Sequence, residues 1–473
     1  MSKGSEVKGR VELKRVLGRR DLILLFVVAV FNLNVVPSIA ASGGVAIWLW
    51  LASLILFFWP QGIAVIELAH RYPGEGGVYL WSKELFGDFH GFFSGWCYWT
   101  NNMLYVPTVM LYFVGVSVFV LGPKYESLTD NKVFAICTSL VLLALLAVLN
   151  IVGSAVGKWL NNVGAIGTCI AAAVLVVLAA FVMLKPGSET LRAVDFRIPH
   201  DPRLVMNSFG VICFALVGLE LASVMGDEIE SPRKTLPSAV AWGGIISGFL
   251  YVATTLTLLA AVGSRINVLQ GVMQAIGHLS AQIGIGWIIP VFAFMLSVSI
   301  AGIGSAWLGG SARIPFVAGL DSYMPSWLGR LHPKYGTPYA ALLVHALISM
   351  ALCVIFFGFS SVEEAFETML SLAVVLQLIP YVYIFGALLK LAVGRPDGRG
   401  VYSRGILIAA GVSGLITTLL GIVLQYFPPG LIKSLGVYEA EMMLGTAVFV
   451  GLAAYFFFVY GRRKSAEAAS IQV

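Results

Sequence analysis

The sequence predicts an all-α membrane protein with twelve transmembrane helices: a five-plus-five inverted repeat, then two extra C-terminal helices. Three observations predict it. Of 473 residues 59% are hydrophobic and only 11% charged, with a mean hydropathy of +0.90, which is more apolar surface than a water-soluble fold can bury. Apolar runs of about 20 residues, the length a helix needs to cross a bilayer while satisfying its own backbone, recur along the whole chain. Two of those runs, five spans apart, carry helix-interrupting residues at their centres.

The runs lie near 22–41, 45–67, 92–121, 133–152, 158–184, 205–226, 238–263, 287–311, 339–358, 366–391, 405–427 and 441–461. They divide the chain into a cytoplasmic N-terminal tail (1–21), a ten-helix inverted-repeat core (22–391), helices eleven and twelve (392–461) and a cytoplasmic C-terminal tail (462–473). The basic stretch before the first span lacks a well-placed small-residue cleavage site, so a removed signal peptide is not expected. With the N-terminus inside, cytoplasmic segments hold 22 Lys and Arg and outer loops 8, which favours both termini in the cytoplasm and the plasma (inner) membrane as the site. One outer loop dissents, with Lys185, Arg192, Arg197 and Arg203.

The net charge of +6 is spread over these loops and does not point to nucleic acid. Five cysteines (Cys97, Cys137, Cys169, Cys213, Cys353) sit at scattered spacing inside apolar spans, as small buried hydrophobes rather than a disulfide or zinc framework. The six histidines are widely spaced and only His345 falls inside a span, so neither a metal site nor a membrane-enzyme constellation is expected. No phosphate-binding glycine loop points to ATP-driven pumping. No cofactor is expected.

The broken spans carry the functional argument. Span one reads FNLNVVPSIAASGG (Phe31 to Gly44): Pro37 removes a backbone donor and the small residues after it tolerate irregular backbone. Span six reads NSFGVICFALVGLE (Asn207 to Glu220), bracketed by Gly210 and Gly218. In an inverted repeat two such helices meet at the membrane midplane, where half-helix N–H groups attract a carboxylate and half-helix carbonyls an ammonium group. An amino acid carries both.

Three segments then resemble one family. ELAHRYPGEGGVYLWSKELFGDFHGFFSGW (Glu67 to Trp96), GLELASVMGDEIESPRKTLPSAV (Gly218 to Val240) and SARIPFVAGLDSYMPSWLGRLHPKYGTP (Ser311 to Pro338) are similar to loops of the amino acid/polyamine/organocation (APC) superfamily, in order and between the corresponding spans. The resemblance covers about residues 70–400. It implies a LeuT-like fold, with a central site formed by spans one, three, six, eight and ten. Where many members carry a Gly-Ser-Gly-Ile-Phe-like break, this chain has Val36-Pro37-Ser38-Ile39-Ala40-Ala41, which looks more like the glutamate/GABA antiporter branch.

On that resemblance Ser38, Ile39, Ala40 and Ala41, with Ala215 and Gly218, bind substrate through backbone atoms; close helix packing through small residues is the competing reading. Phe214 aligns with the aromatic lid that is tryptophan in the arginine/agmatine antiporters, and Trp307 with a pocket tryptophan, although either is also an ordinary packing aromatic. Tyr98, Asn102 and Tyr105 share one face of span three, with Asn101 alongside; Asn102 and Tyr105 are the candidates for side-chain specificity, and Gln377 in span ten is a weaker one. Glu220, ionisable and deep in an apolar span, is a proton-coupling or gating candidate or else a structural glutamate. The lysine that many relatives place in span five is replaced by Gly167 or Thr168, which leaves exchange, Glu220-linked H+ coupling, or a Na+ site near the span-one carbonyls and Ser299.

The expected activity is secondary transport of amino acids by alternating access. A polyamine or other organic amine transporter, or an amino-acid sensor on the same fold, is the alternative. Only Glu220 reads as a carboxylate well inside the core, which favours an amino acid over a polyamine. The partners are a small-molecule amino acid or amine and the lipid bilayer.

Overall fold

The structure, a computed structural model, describes residues 19–72, 77–185, 194–197, 202–220, 232–263, 265–312, 323–394, 400–432 and 434–461. Among them every regular element is a helix. In chain order these are α1 (Arg19–Val30), α2 (Val36–Ala40), α3 (Val45–Arg71, with a π-helical turn inside), α4 (Val78–Phe86), α5 (Asp88–Ser117), α6 (Lys132–Val152), α7 (Ser154–Met183), α8 (Arg203–Ala215), α9 (Pro232–Val262), α10 (Gly271–Ile283), α11 (Ile288–Ser311), α12 (Tyr339–Phe359), α13 (Val362–Val393), α14 (Arg404–Leu424) and α15 (Leu435–Tyr455).

Ten helices among the described residues are long and apolar enough to cross a membrane. The sequence led us to expect twelve. The two that fall short are the two read as broken: span one is divided into α1 and α2 around a short 3-10 turn, and span six stops at Ala215 after 13 residues. An order of elements also recurs. An interrupted helix, a long one, a short one and three long ones run from α1 to α7, and again from α8 to α13.

Burial identifies the centre of the bundle. The most apolar stretches of α5 and α13 are 78% and 72% buried, against 17% in α15, so α5 and α13 form the middle and α15 turns most of its side chains outward. That is why an apolar exterior is not a defect here: in a bilayer the solvent is itself apolar. Where helices touch backbone to backbone the sequence supplies glycine. A Cβ on Gly302 of α11 would lie 2.4 Å from the Leu160 carbonyl oxygen and 2.6 Å from Cα of Gly164 in α7, closer than any side chain allows.

All five cysteines are free. Cys97, Cys213 and Cys353 are buried as expected, but Cys169 is only partly buried and Cys137 is exposed, because α6 turns much of its surface outward.

The helices outside the repeated order are tied into it. Gln425, after α14, donates to the Asn207 carbonyl of α8 at 2.7 Å. The Asn207 amide lies 3.2 Å from the Ser371 hydroxyl of α13 and 3.3 Å from the Tyr438 hydroxyl of α15, which donates to the Gln425 carbonyl at 2.7 Å.

Candidate functional site

The two interruptions meet. α1 ends with the Phe31 amide bonded to the Val27 carbonyl at 2.8 Å, Asn32 is extended (φ −121°, ψ 106°), and the chain re-enters helix through Leu33–Val35. The break therefore lies at Phe31 and Asn32, and not between Pro37 and Gly44 as the composition suggested. Pro37 occupies the first turn of α2, where a missing amide costs nothing and the fixed φ favours helix, so it starts the second half instead of breaking the first.

In span six the break falls after Ala215 and is completed by Gly218, whose φ of +129° suits glycine alone. A Cβ there would come 3.1 Å from the Ala29 carbonyl oxygen, so the unwound strand of span six runs against the last turn of α1. Gly210 belongs to helix, packed against Gly421 and Gln425 of the α14 region.

One residue joins both breaks. Tyr251 of α9 accepts from the Asn32 amide at 2.9 Å, and its hydroxyl lies 2.6 Å from the Val30 carbonyl and 3.0 Å from the Ala215 carbonyl. These are groups that interrupted helices leave without intrahelical partners. Its ring stacks on Trp50 with centroids 4.2 Å apart.

Beside the junction stands an aromatic cluster. The Tyr105 ring of α5 meets Phe214 of α8 edge-on at 5.1 Å and Trp307 of α11 at 5.8 Å and 89°, which brings together the three aromatics expected in the pocket. Its hydroxyl donates to Asn34 Oδ1 at 3.3 Å, in the re-entrant turn of span one. Asn34 Nδ2 and Asn102 Oδ1 are buried without a protein partner, while Asn102 Nδ2 donates within its own helix to the Tyr98 carbonyl at 3.0 Å. Ser38, Ile39 and Ala40 are buried and Ala41 is exposed.

At one end of this cluster lies Glu220. Its carboxylate accepts from the Tyr381 hydroxyl of α13 at 2.5 Å, the Tyr98 hydroxyl of α5 at 3.2 Å, the Gly218 amide at 2.9 Å and Gln61 Nε2 of α3 at 3.5 Å. Gln61 also donates to the Tyr381 hydroxyl at 2.9 Å, and Asn101 donates to Gln377 Oε1 at 2.6 Å beside this group. Three helices, α3, α5 and α13, thus converge on one buried carboxylate held by the unwound segment after α8. Ser299 is elsewhere: it donates to the Met295 carbonyl at 3.1 Å and faces Gly167 at the contact of α11 with α7.

Glu220 is not the only carboxylate inside. Glu367, 1% exposed, lies in α13, with the Ser38 hydroxyl of α2 against its carboxyl group and Oε2 without a hydrogen-bond partner. The sequence placed Glu367 at the edge of span ten. The helix begins earlier, at Val362, because Ser361 and Glu364 form a reciprocal capping box; Ser-x-x-Glu before an apolar run was the legible signal. Tyr251, Asn34, Gln61 and Tyr381 were also missed, and only their positions opposite the breaks, a tertiary fact, distinguish them from packing residues.

With this geometry in place, residues 17–455 match the family model described as amino acid permease. The chain belongs to the amino acid permease family. Over 447 residues the permease is 26% identical to an uncharacterized transporter of Legionella pneumophila, covering 92% of this chain and 95% of that protein. It is 22% identical over 434 residues to a probable agmatine/putrescine antiporter of Lactococcus lactis, with 90% and 91% covered. An uncharacterized transporter of Mycobacterium tuberculosis is 26% identical over 351 residues, with 72% and 74% covered. Family and relatives are transporters and not enzymes, and with ten membrane-capable helices the permease is an integral membrane transporter.

Proposed function

We propose that the permease is a secondary active transporter that carries an amino acid across the cytoplasmic membrane by alternating access. The observation that carries this reading is the junction of two interrupted helices through Tyr251, beside the Tyr105, Phe214 and Trp307 cluster. The N-terminal amides of the re-entrant turn at Leu33–Val35 suit a carboxylate, and the carbonyl ends of α1 and α8 suit an ammonium group. An aromatic wall excludes water and attracts the ammonium charge. Ser38 to Ala41, Ala215 and Gly218 line the path through backbone atoms, with Asn102 and Tyr105 contributing side chains. Glu220 is the coupling or gating group, since its partners come from helices on both sides of the break.

The recurring element order supports a ten-helix inverted repeat over 22–391 followed by two helices, twelve spans in all, with span one formed by α1 and α2 and span six by α8 and the residues after it. The distribution of Lys and Arg supports cytoplasmic termini. A second reading is transport of an organic diamine: Glu367, a buried carboxylate that meets a single ammonium group on its own, removes the argument that the core offers only Glu220 to an amine. The relative described as a probable agmatine/putrescine antiporter is consistent with it.

The test is counterflow in proteoliposomes preloaded with leucine, arginine, glutamate, agmatine or putrescine, under imposed proton and sodium gradients. Exchange of an amino acid is expected. Accumulation of agmatine or putrescine alone would establish the diamine reading, and no flux of any of them would refute both.

A further inference from the structure

Four helices place the polar groups of the core in the same order. Along α5, Tyr98 touches Glu220 and Tyr105, seven residues on, carries the aromatic cluster, about 10 Å away at 1.5 Å per residue. Along span one, Asn34 meets Tyr105 and Ser38, one turn later on the same face, meets Glu367. Along α13, in the opposite chain direction, Tyr381 holds Glu220 and Glu367 lies 14 residues earlier, roughly 21 Å along the axis. Along α8, Asn207 lies beside Ser371, one turn from Glu367, followed by Phe214 and then Glu220. Glu220, the aromatic cluster and Glu367 are therefore three successive levels along the axis of the bundle core.

The separation decides what the two carboxylates do. Some 20 Å exceeds the span of a single amino acid or short diamine, so they cannot grip two ends of one substrate at once. Among the described residues no Lys or Arg side chain pairs with Glu367. Its acidic neighbour Glu363 has its own partner, the Asn267 amide at 2.5 Å. A carboxylate withdrawn from water without a resident cation is costly and calls for a cationic partner. Asn34 Nδ2, one turn from Ser38 and at the level of the cluster, is a second buried polar atom without a partner.

We infer that Glu367, with Ser38, is a docking station for the substrate's ammonium group at the mouth of the path opposite Glu220, from which the cation passes the Tyr105, Phe214 and Trp307 cluster. This rests on the transport reading above. It assigns Glu367 to capture from one face of the membrane and not to occlusion at the centre, so its contribution has a sidedness that neither a packing role nor a central binding role would give.

The experiment is initial-rate uptake of arginine and agmatine into right-side-out and everted vesicles bearing wild-type, E367Q or E367D permease, with the melting temperature of each purified protein measured in parallel. E367Q is expected to raise KM about tenfold or more in one vesicle polarity, to leave it within about twofold in the other, and to keep Vmax and melting temperature near wild type. An unchanged KM in both polarities, or an equal rise in both, overturns the station. If E367Q does not accumulate, E367D is read by the same criterion, since it keeps the charge but withdraws it by one methylene. Wild-type vesicles that take up neither probe, nor leucine or glutamate, would instead refute the transport reading itself.

Discussion

The Tyr251 hydroxyl lies 2.6 Å from the Val30 carbonyl, the last residue of α1 before span one unwinds. The same oxygen serves Asn32 and Ala215, so one side chain stabilises both interruptions. Tyr251→Phe keeps the ring on Trp50 and removes only the hydroxyl. Each buried backbone group left without a partner costs about 1–3 kcal/mol. The variant is therefore expected to melt several degrees lower and to lose at least tenfold in transport rate. Wild-type flux and melting in Y251F would show that the breaks hold themselves.

Phe214 packs edge-on against Tyr105 at 5.1 Å. Aromatic pairing contributes about 0.5–1.5 kcal/mol beyond buried area, and contact with an ammonium group a similar amount. Phe214→Ala should raise KM by about 3- to 30-fold with a smaller change in Vmax, at 1.4 kcal/mol per tenfold. Phe214→Trp should restore affinity. Equal KM values in all three proteins would reduce Phe214 to a packing residue.

Glu220 gathers Tyr98, Tyr381, Gln61 and the Gly218 amide. If its protonation accompanies transport, Glu220→Gln, which keeps the shape and loses the titration, flattens the dependence of net uptake on external pH and abolishes stimulation by an inward proton gradient. Exchange of substrate for substrate should survive. A pH profile in E220Q that overlays wild type would leave Glu220 as a structural anchor.

Glu67, buried at the end of α3, receives Arg71 at 2.6 Å and the Val401 and Tyr402 amides at 2.9 and 3.1 Å, which fastens the chain before α14. Breaking a buried ion pair by neutralising one partner costs about 3–5 kcal/mol. Glu67→Gln is expected to accelerate hydrogen exchange at Val401 and Tyr402 by at least tenfold while leaving the centre of α13 protected. Unchanged exchange would mean that the loop is held by other contacts.

Much of the fold was legible because a bilayer imposes it. Long apolar runs need no tertiary information to be read as helices, and ten of the twelve expected spans coincide with continuous helices. The glycine at 218 was legible too, since a positive φ within an apolar span singles out that residue type. Pro37 misled because proline is ambiguous by itself: it interrupts a helix already under way but starts one at its first turn, and which applies depends on where the preceding turn ends. The aromatic trio was read from resemblance, and its convergence follows from three helices meeting. Tyr251 was illegible, since nothing in LYVATTL distinguishes a tyrosine that bridges two distant breaks from one that fills space.

Asn207 extends the reach of the site to the rim of the protein. Its backbone and side chain are clasped by Gln425 and Tyr438, while about two helical turns further along the same rod stands Phe214. The two helices outside the repeated order are thus fastened to the same rod that carries one wall of the aromatic cluster, so α14 and α15 brace the aromatic wall from outside.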